Sequence, residues 1–107
     1  MIRLNVLYNL PENEDEDAFL KWRLSEHQDA NASMPGVVRT DFARITDFWP
    51  EGSMPSYRFQ TTVDWPDRES FERGFYDDAV QTGLRENLKK LGDYVFIVSE
   101  ILVESGD

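Results

Sequence analysis

The stretch Ser56-Tyr57-Arg58-Phe59-Gln60-Thr61-Thr62-Val63-Asp64-Trp65-Pro66-Asp67-Arg68-Glu69-Ser70-Phe71-Glu72-Arg73-Gly74-Phe75 changes its period midway. From Ser56 to Asp64, Tyr57, Phe59, Thr61 and Val63 alternate with Arg58, Gln60 and Thr62. A period of two is the mark of a strand with one buried face. Pro66 and Asp67 then open a helical region in which Phe71 and Phe75 stand at i, i+4, neighbours on one helix face. Gly74 and the Asp77-Asp78 pair predict a bend, after which a second helical piece runs from Ala79 to Leu91. Its stripe is Val80, Leu84, Leu88 and Leu91. Gly92 is placed to end it, and Lys89 and Lys90 suit the negative end of a helix. Upstream, Trp49 to Pro55 holds two prolines and a glycine and reads as a turn. Before it, Val37 to Phe48 reads as a long strand, so the two strands make a hairpin.

Further out, Ile2 to Asn9 alternates through Ile2, Leu4, Val6 and Tyr8 and predicts the first strand. A helix follows. Asn13 is placed as its N-cap, with Glu16 three residues on to complete a capping box. Five of the six residues 12–17 are acidic, which complements the positive end of a helix. At about 100° per residue, Trp22, Phe19, Ala30, Leu20 and Leu24 share a broad apolar face, with His27 projecting inside it. Met34-Pro35-Gly36 stops the helix. Tyr94 to Val103 is the last strand. The order is β-α-β-β-α-β: an α+β, ferredoxin-like arrangement, with a four-stranded antiparallel sheet and helices on one face. Residues 1–107 are expected to form one domain. The last strand is apolar on both faces, Val95, Ile97, Ile101 and Val103 against Tyr94, Phe96, Val98 and Leu102. Either a partner's sheet covers its second face in a symmetric homodimer, or it is a central strand left partly exposed.

Composition narrows the function. The 107 residues include 11 basic and 21 acidic side chains, a net charge of −10. That argues against nucleic acid, whose binding needs Lys and Arg to neutralise phosphates, and against an anionic membrane surface. There is no Cys and one His, which removes thiol chemistry, disulfides and any site needing two histidines. No apolar run approaches a membrane span, and the N-terminus lacks the order of a signal peptide. A cytoplasmic protein is expected. Phosphate loops, His-x-x-x-His, EF-hand spacing and Gly-x-Ser-x-Gly are absent from the sequence. No cofactor and no metal site is expected.

Leu7-Tyr8 at the end of the first strand, Phe19-x-x-Trp22, His27 eight residues after that Phe, and Met34-Pro35-Gly36 together resemble the EthD family. This specific match covers roughly the first 40 residues; Trp65 to Leu88 is similar to the wider superfamily in general. The resemblance implies a dimeric α+β barrel, in which two four-stranded sheets pack face to face with the helices outside. It also implies a cavity between helix and sheet into which the His at the position of His27 points. Relatives in that superfamily include aromatic polyketide cyclases, cofactor-free monooxygenases, lactone isomerases and haem-degrading enzymes. Haem degradation there uses a His on the second helix, which has none here. The chain departs from the family's His-x-Pro-Leu, since Gln28-Asp29-Ala30 follow His27, and Thr40 stands beside Arg39 where an aromatic is usual.

His27 is the candidate catalytic residue, because an imidazole titrates near neutral pH and can act as general acid or base. Alternatively it is a core-edge His bonded to backbone. Glu26, Asp29 and Asp41 are candidates to orient it, or are solvated acids. Tyr8, Trp22, Tyr57, Phe59 and Tyr94 can wall an aromatic pocket or be ordinary core. Tyr8, Trp22, Arg39 and Tyr57 are taken as substrate-binding, with Arg39 as the anchor, since a guanidinium fork binds carboxylate bidentately. Asn5, Arg39, Arg44, Arg58, Gln60 and Glu100 are strand residues that either pair across a dimer interface or face a cavity. The expected function is an EthD-like protein that binds a small aromatic, polyketide-like or catabolic compound between helix and sheet. Acid/base chemistry of cyclase, isomerase or monooxygenase type without a cofactor goes with it. The alternative is a non-catalytic ligand-binding or accessory homodimer of a catabolic pathway.

Overall fold

A computed structural model describes residues 1–27, 31–52 and 57–106. Its strands are β1 (Ile2–Tyr8), β2 (Arg39–Arg44), β3 (Phe59–Trp65) and β4 (Tyr94–Glu100). Helix α1 (Glu16–Trp22) runs directly into a π-turn (Arg23–His27). Helices α2 (Arg68–Phe75) and α3 (Asp78–Leu88) follow β3. The sheet order is β2-β3-β1-β4, and every pairing is antiparallel. This is the ferredoxin-like α+β arrangement expected. Among the described residues, no helix is long and apolar enough to cross a membrane.

Burial alternates along β1 as the sequence predicts. Ile2, Leu4, Val6 and Tyr8 are buried, and the residues between them are half-buried. Cross-strand partners share a face, so this register puts Thr61, Val63 and Phe96 on the same face as Val6 and Leu4. Phe19, Phe59, Trp65 and Phe71 complete the core there. Trp65 packs edge-on against Phe71 at 5.1 Å, and its indole Nε1 donates to the Pro35 carbonyl at 2.9 Å. That bond ties the end of the first helical region to the start of the second.

The element ends differ from the sequence reading. Asn13 does not cap α1. It sits in a turn at φ 69°, closed by a bond from Glu14 N to Pro11 O, and the cap is Asp15. Asp15 has extended backbone, and its carboxylate accepts from Asp17 N and Ala18 N. The side chain that meets the free N–H groups after the chain has turned becomes the cap. Leu24, expected on the apolar face, is 64% exposed, because the π-turn rotates it away. β2 is shorter than Val37–Phe48; its last bond to β3's approach runs from Ile45 N to Arg58 O. β4 stops at Glu100, since Ile101 N bonds to Met1 O and β4 then passes the end of its neighbour. Leu102 and Val103, read as part of that strand, are 85% and 80% exposed.

The second sheet face carries Arg3, Asn5 and Leu7 of β1, Arg39, Asp41 and Ala43 of β2, Gln60, Thr62 and Asp64 of β3, and Val95 and Ile97 of β4. Arg3 holds buried Asp64 with a two-bonded fork at 2.8 and 2.9 Å. Asn5 Oδ1 is buried there with no hydrogen-bond partner among the described residues.

Gly74 is where α2 meets the Trp65–Pro35 contact. A Cβ there would run into the Pro35 carbonyl oxygen and lie 2.7 Å from Trp65 Nε1. Gly74→Ala should therefore cost about 2–3 kcal/mol. Gly83→Ala meets nothing within 4 Å and should gain about 0.5–1 kcal/mol from helix propensity. Urea unfolding of the two variants checks both signs.

Candidate functional site

Between the helices and the covered face of the sheet lies a cavity of about 330 Å³, at the lower end of small-molecule sites. The sheet supplies Leu4, Val6 and Tyr8 from β1, Thr61 and Val63 from β3, and Phe96 from β4. Opposite stand Phe75 and the apolar stripe Val80, Leu84, Leu88 and Leu91. The third side is α1 with its π-turn, which brings Phe19, Trp22, Arg23 and His27.

The π-turn places the histidine. Ser25 Oγ donates back to Lys21 O at 2.7 Å and approaches Trp22 O at 3.3 Å. Such back-bonding competes with the helix ladder and goes with a change of helix pitch. In an α-helix, residues five apart are about 140° apart around the axis. In the i→i+5 pattern of a π-turn they lie one above the other. Trp22 and His27 are five apart, and their rings stack at 4.7 Å with 21° between planes. Lys90 Nζ sits 4.1 Å from the Trp22 ring centroid.

His27 Nδ1 lies 3.2 Å from the amide nitrogen of Asn87. That nitrogen can only donate, so in this arrangement Nδ1 accepts and the ring proton is on Nε2. Burial first, then the positive charges of Arg23 and Lys90, lower the His27 pKa to about 4. At neutral pH it is an uncharged imidazole: a hydrogen-bond donor through Nε2, and a weak base.

Arg23 is 1% exposed. Its Nη2 donates to Thr61 Oγ1 at 3.1 Å, and its guanidinium lies over Phe42 at 4.3 Å. The Tyr8 hydroxyl is 3.4 Å from the same Thr61 oxygen. Burial lowers the Arg23 pKa, and the neighbouring Tyr8 phenol works against that shift. A guanidinium stays charged in proteins.

The structure brings Tyr8, Trp22 and His27 to the cavity, and it does not bring Arg39 or Tyr57. Arg39 stands on the other sheet face, opposite Asp64 in the ladder, with its exposed side chain 3.3 Å from Asp41. This corrects the reading of Arg39 as the ligand's anchor: alternation separates the faces of a strand but does not tell which one the helices cover. Tyr57 precedes β3 and is not part of the lining. Phe59 is fully buried core and Tyr94 is half exposed. Asp41 does not orient His27, since it bonds Thr62 at 2.5 Å on the far face. The Glu26 side chain and Asp29 lie outside the described residues. Arg58 pairs with Glu16 at 2.8 Å on the surface. The residues missed from sequence are Arg23, Thr61 and Asn87. Two of them left a signal: at 100° per residue Arg23 falls inside the apolar arc, between Ala30 and Leu20, and Thr61 shares the alternation of Phe59 and Val63.

No family model and no curated protein matches the chain. Solved structures do. An ethyl tert-butyl ether D (EthD) family protein from Bacillus halodurans is 22% identical, with a TM-score of 0.78 over 95% of this chain and 99% of that one. A dimeric ferredoxin-like protein of unknown function from Thermobifida fusca is 15% identical, at 0.70 over 94% and 90%. SnoaB, a cofactor-independent oxygenase from Streptomyces nogalater, is 13% identical, at 0.70 over 99% and 97%. The fold is that of the EthD-type ferredoxin-like proteins, as the sequence resemblance implies. At these identities the likeness carries the fold; function has to be argued from the site.

The lone imidazole makes its environment measurable. Its folded pKa near 4 lies below the ordinary value of 6.5, so the unfolded chain takes up the proton first as pH falls. Its contribution to stability is complete above pH 6.5 and is lost as pH falls from 6.5 to 4. The single imidazole resonance should titrate near pH 4. In His27→Gln the stability difference from wild type should change across that window and be flat above it.

Proposed function

We propose that the cavity binds one small, largely apolar organic molecule, and that His27 presents Nε2–H to an oxygen of it without a resident cofactor. The observation that carries this reading is the neutral imidazole, held between the Trp22 ring and the Asn87 amide in an apolar wall. A hydrogen bond from a neutral imidazole polarises a carbonyl and makes an adjacent C–H or O–H easier to ionise. An Asn amide can turn its oxygen or its nitrogen to Nδ1, so the ring can also take a proton at Nε2 and give it back. Chemistry of cyclase, isomerase or monooxygenase type fits these roles, and the likeness to a cofactor-independent oxygenase supports it as a fold-level analogy.

A second reading has its own observation. The partner of His27 is an amide, where a carboxylate would raise basicity. A weak base in a cavity suits a protein that binds and delivers its ligand unchanged.

The acting unit in this proposal is a homodimer with its sheets face to face. The open face carries Leu7, Ala43, Val95 and Ile97 around the buried Asn5 Oδ1, which has no hydrogen-bond partner among the described residues. A second copy can cover the apolar patch and supply a donor to that oxygen. The dimeric ferredoxin-like relative supports a dimer.

Light scattering should give twice the chain mass of 12.5 kDa, and Ile97→Lys should shift it to the single-chain value. A thermal-shift screen of phenolic acids, quinones, lactones and polyketide analogues, with product analysis of each hit, tests the ligand site. For an enzyme, His27→Gln should keep the shift and lose about 10²–10⁴ in turnover. Recovery of every hit unmodified from wild type decides for the binding protein.

A further inference from the structure

Gly83 stands in the interior of α3 without a structural reason to be glycine. Gly74 of α2 has one, because a Cβ there would run into the Pro35 carbonyl oxygen. Gly83 has helical backbone, and a Cβ there would meet nothing within 4 Å. After proline, glycine is the least favourable residue in a helix interior, so packing and helix formation are both better served by alanine. Its surroundings are those of the cavity. Of the described residues that line the cavity, all are buried or half-buried except Ala79 and Gly83, which are exposed. These two stand about one turn apart on α3, where the described wall of the cavity meets solvent. At about 100° per residue, Gly83 falls roughly 40° from Asn87 and 100° from Leu84. It therefore flanks the apolar stripe on the side where Asn87 meets His27.

We infer that Gly83 is the mouth of the cavity: a ligand enters and leaves across its bare backbone, and the lack of a side chain there sets the width of what reaches His27. The inference rests on the reading of the cavity as a ligand site and adds where that ligand passes and what limits it. Neither Ala79 nor Gly83 has a polar side chain, so an apolar ring crosses this rim without taking a charged or hydrogen-bonding side chain out of water. A side chain added at position 83 would project into open space, over the route and outside the packed core. Helix stability is given up at the one place where a larger residue would obstruct passage, as happens where function and stability compete.

The probe is N-phenyl-1-naphthylamine, a neutral aromatic amine that fluoresces in apolar surroundings, mixed with the protein in a stopped-flow instrument. Its place in the cavity is read from the shift of the single His27 imidazole resonance. Gly83→Leu should slow association and dissociation together, on the order of tenfold, and Gly83→Ala less, with Kd kept within about threefold. A residue that only touched the bound ligand would change Kd through dissociation alone. Both variants should unfold at higher urea than the wild type, since Ala and Leu favour a helix, so slower entry cannot come from damage to the fold. Arg85→Leu, exposed on α3 and outside the lining, should leave both rates unchanged. Unchanged rates in Gly83→Leu overturn the mouth and leave the ligand cavity standing. A weaker Kd at an unchanged association rate overturns it as well, as does equal slowing by Arg85→Leu. A probe that the wild type does not bind, or binds without moving the His27 resonance, overturns the ligand-cavity reading itself, and this inference with it.

Discussion

β1 pairs along both edges over the same residues, Ile2 to Tyr8, with β3 on one side and β4 on the other. A strand held twice has no freedom of register. A slip of one residue would send Ile2, Leu4, Val6 and Tyr8 to the open face and bring Arg3, Asn5 and Leu7 under the helices. The covered wall of the cavity is therefore a consequence of this double pairing. Tyr8 and Thr61 arrive beside Arg23 only because their strands are locked in that register.

The helical side of the site is set by a smaller device. Ser25 bonds back into the preceding turn and the helix widens into a π-turn. One changed turn moves His27 over the ring of Trp22, exposes Leu24 and keeps Arg23 under the sheet. The fold then surrounds the imidazole with cations and apolar walls, which keeps it neutral.

The same sheet and helix layout occurs in proteins that share under a quarter of their residues with this chain. What these proteins share with this chain is the layering.

Much of this was legible along the chain. The switch from period two to period 3.6 at Pro66-Asp67, the bend before α3 and the β-α-β-β-α-β order are local signals, because burial on one face repeats at the spacing of the backbone itself. Tyr8, Trp22 and His27 were legible for the same reason, as was the apolar stripe from Val80 to Leu91. Asn87 was not, because it meets His27 across 60 residues of sequence. Thr61 meets Arg23 across 38. Arg39 and Arg23 show the limit most directly. By sequence, one is a cation on an alternating strand and the other a cation in a helix, and either can reach a ligand. The place of Arg23 in the apolar arc points to burial, but only packing the helices on one face of the sheet turns Arg39 out toward Asp41 and seats Arg23 beside Thr61, since which strand face is covered is a property of the assembled layers.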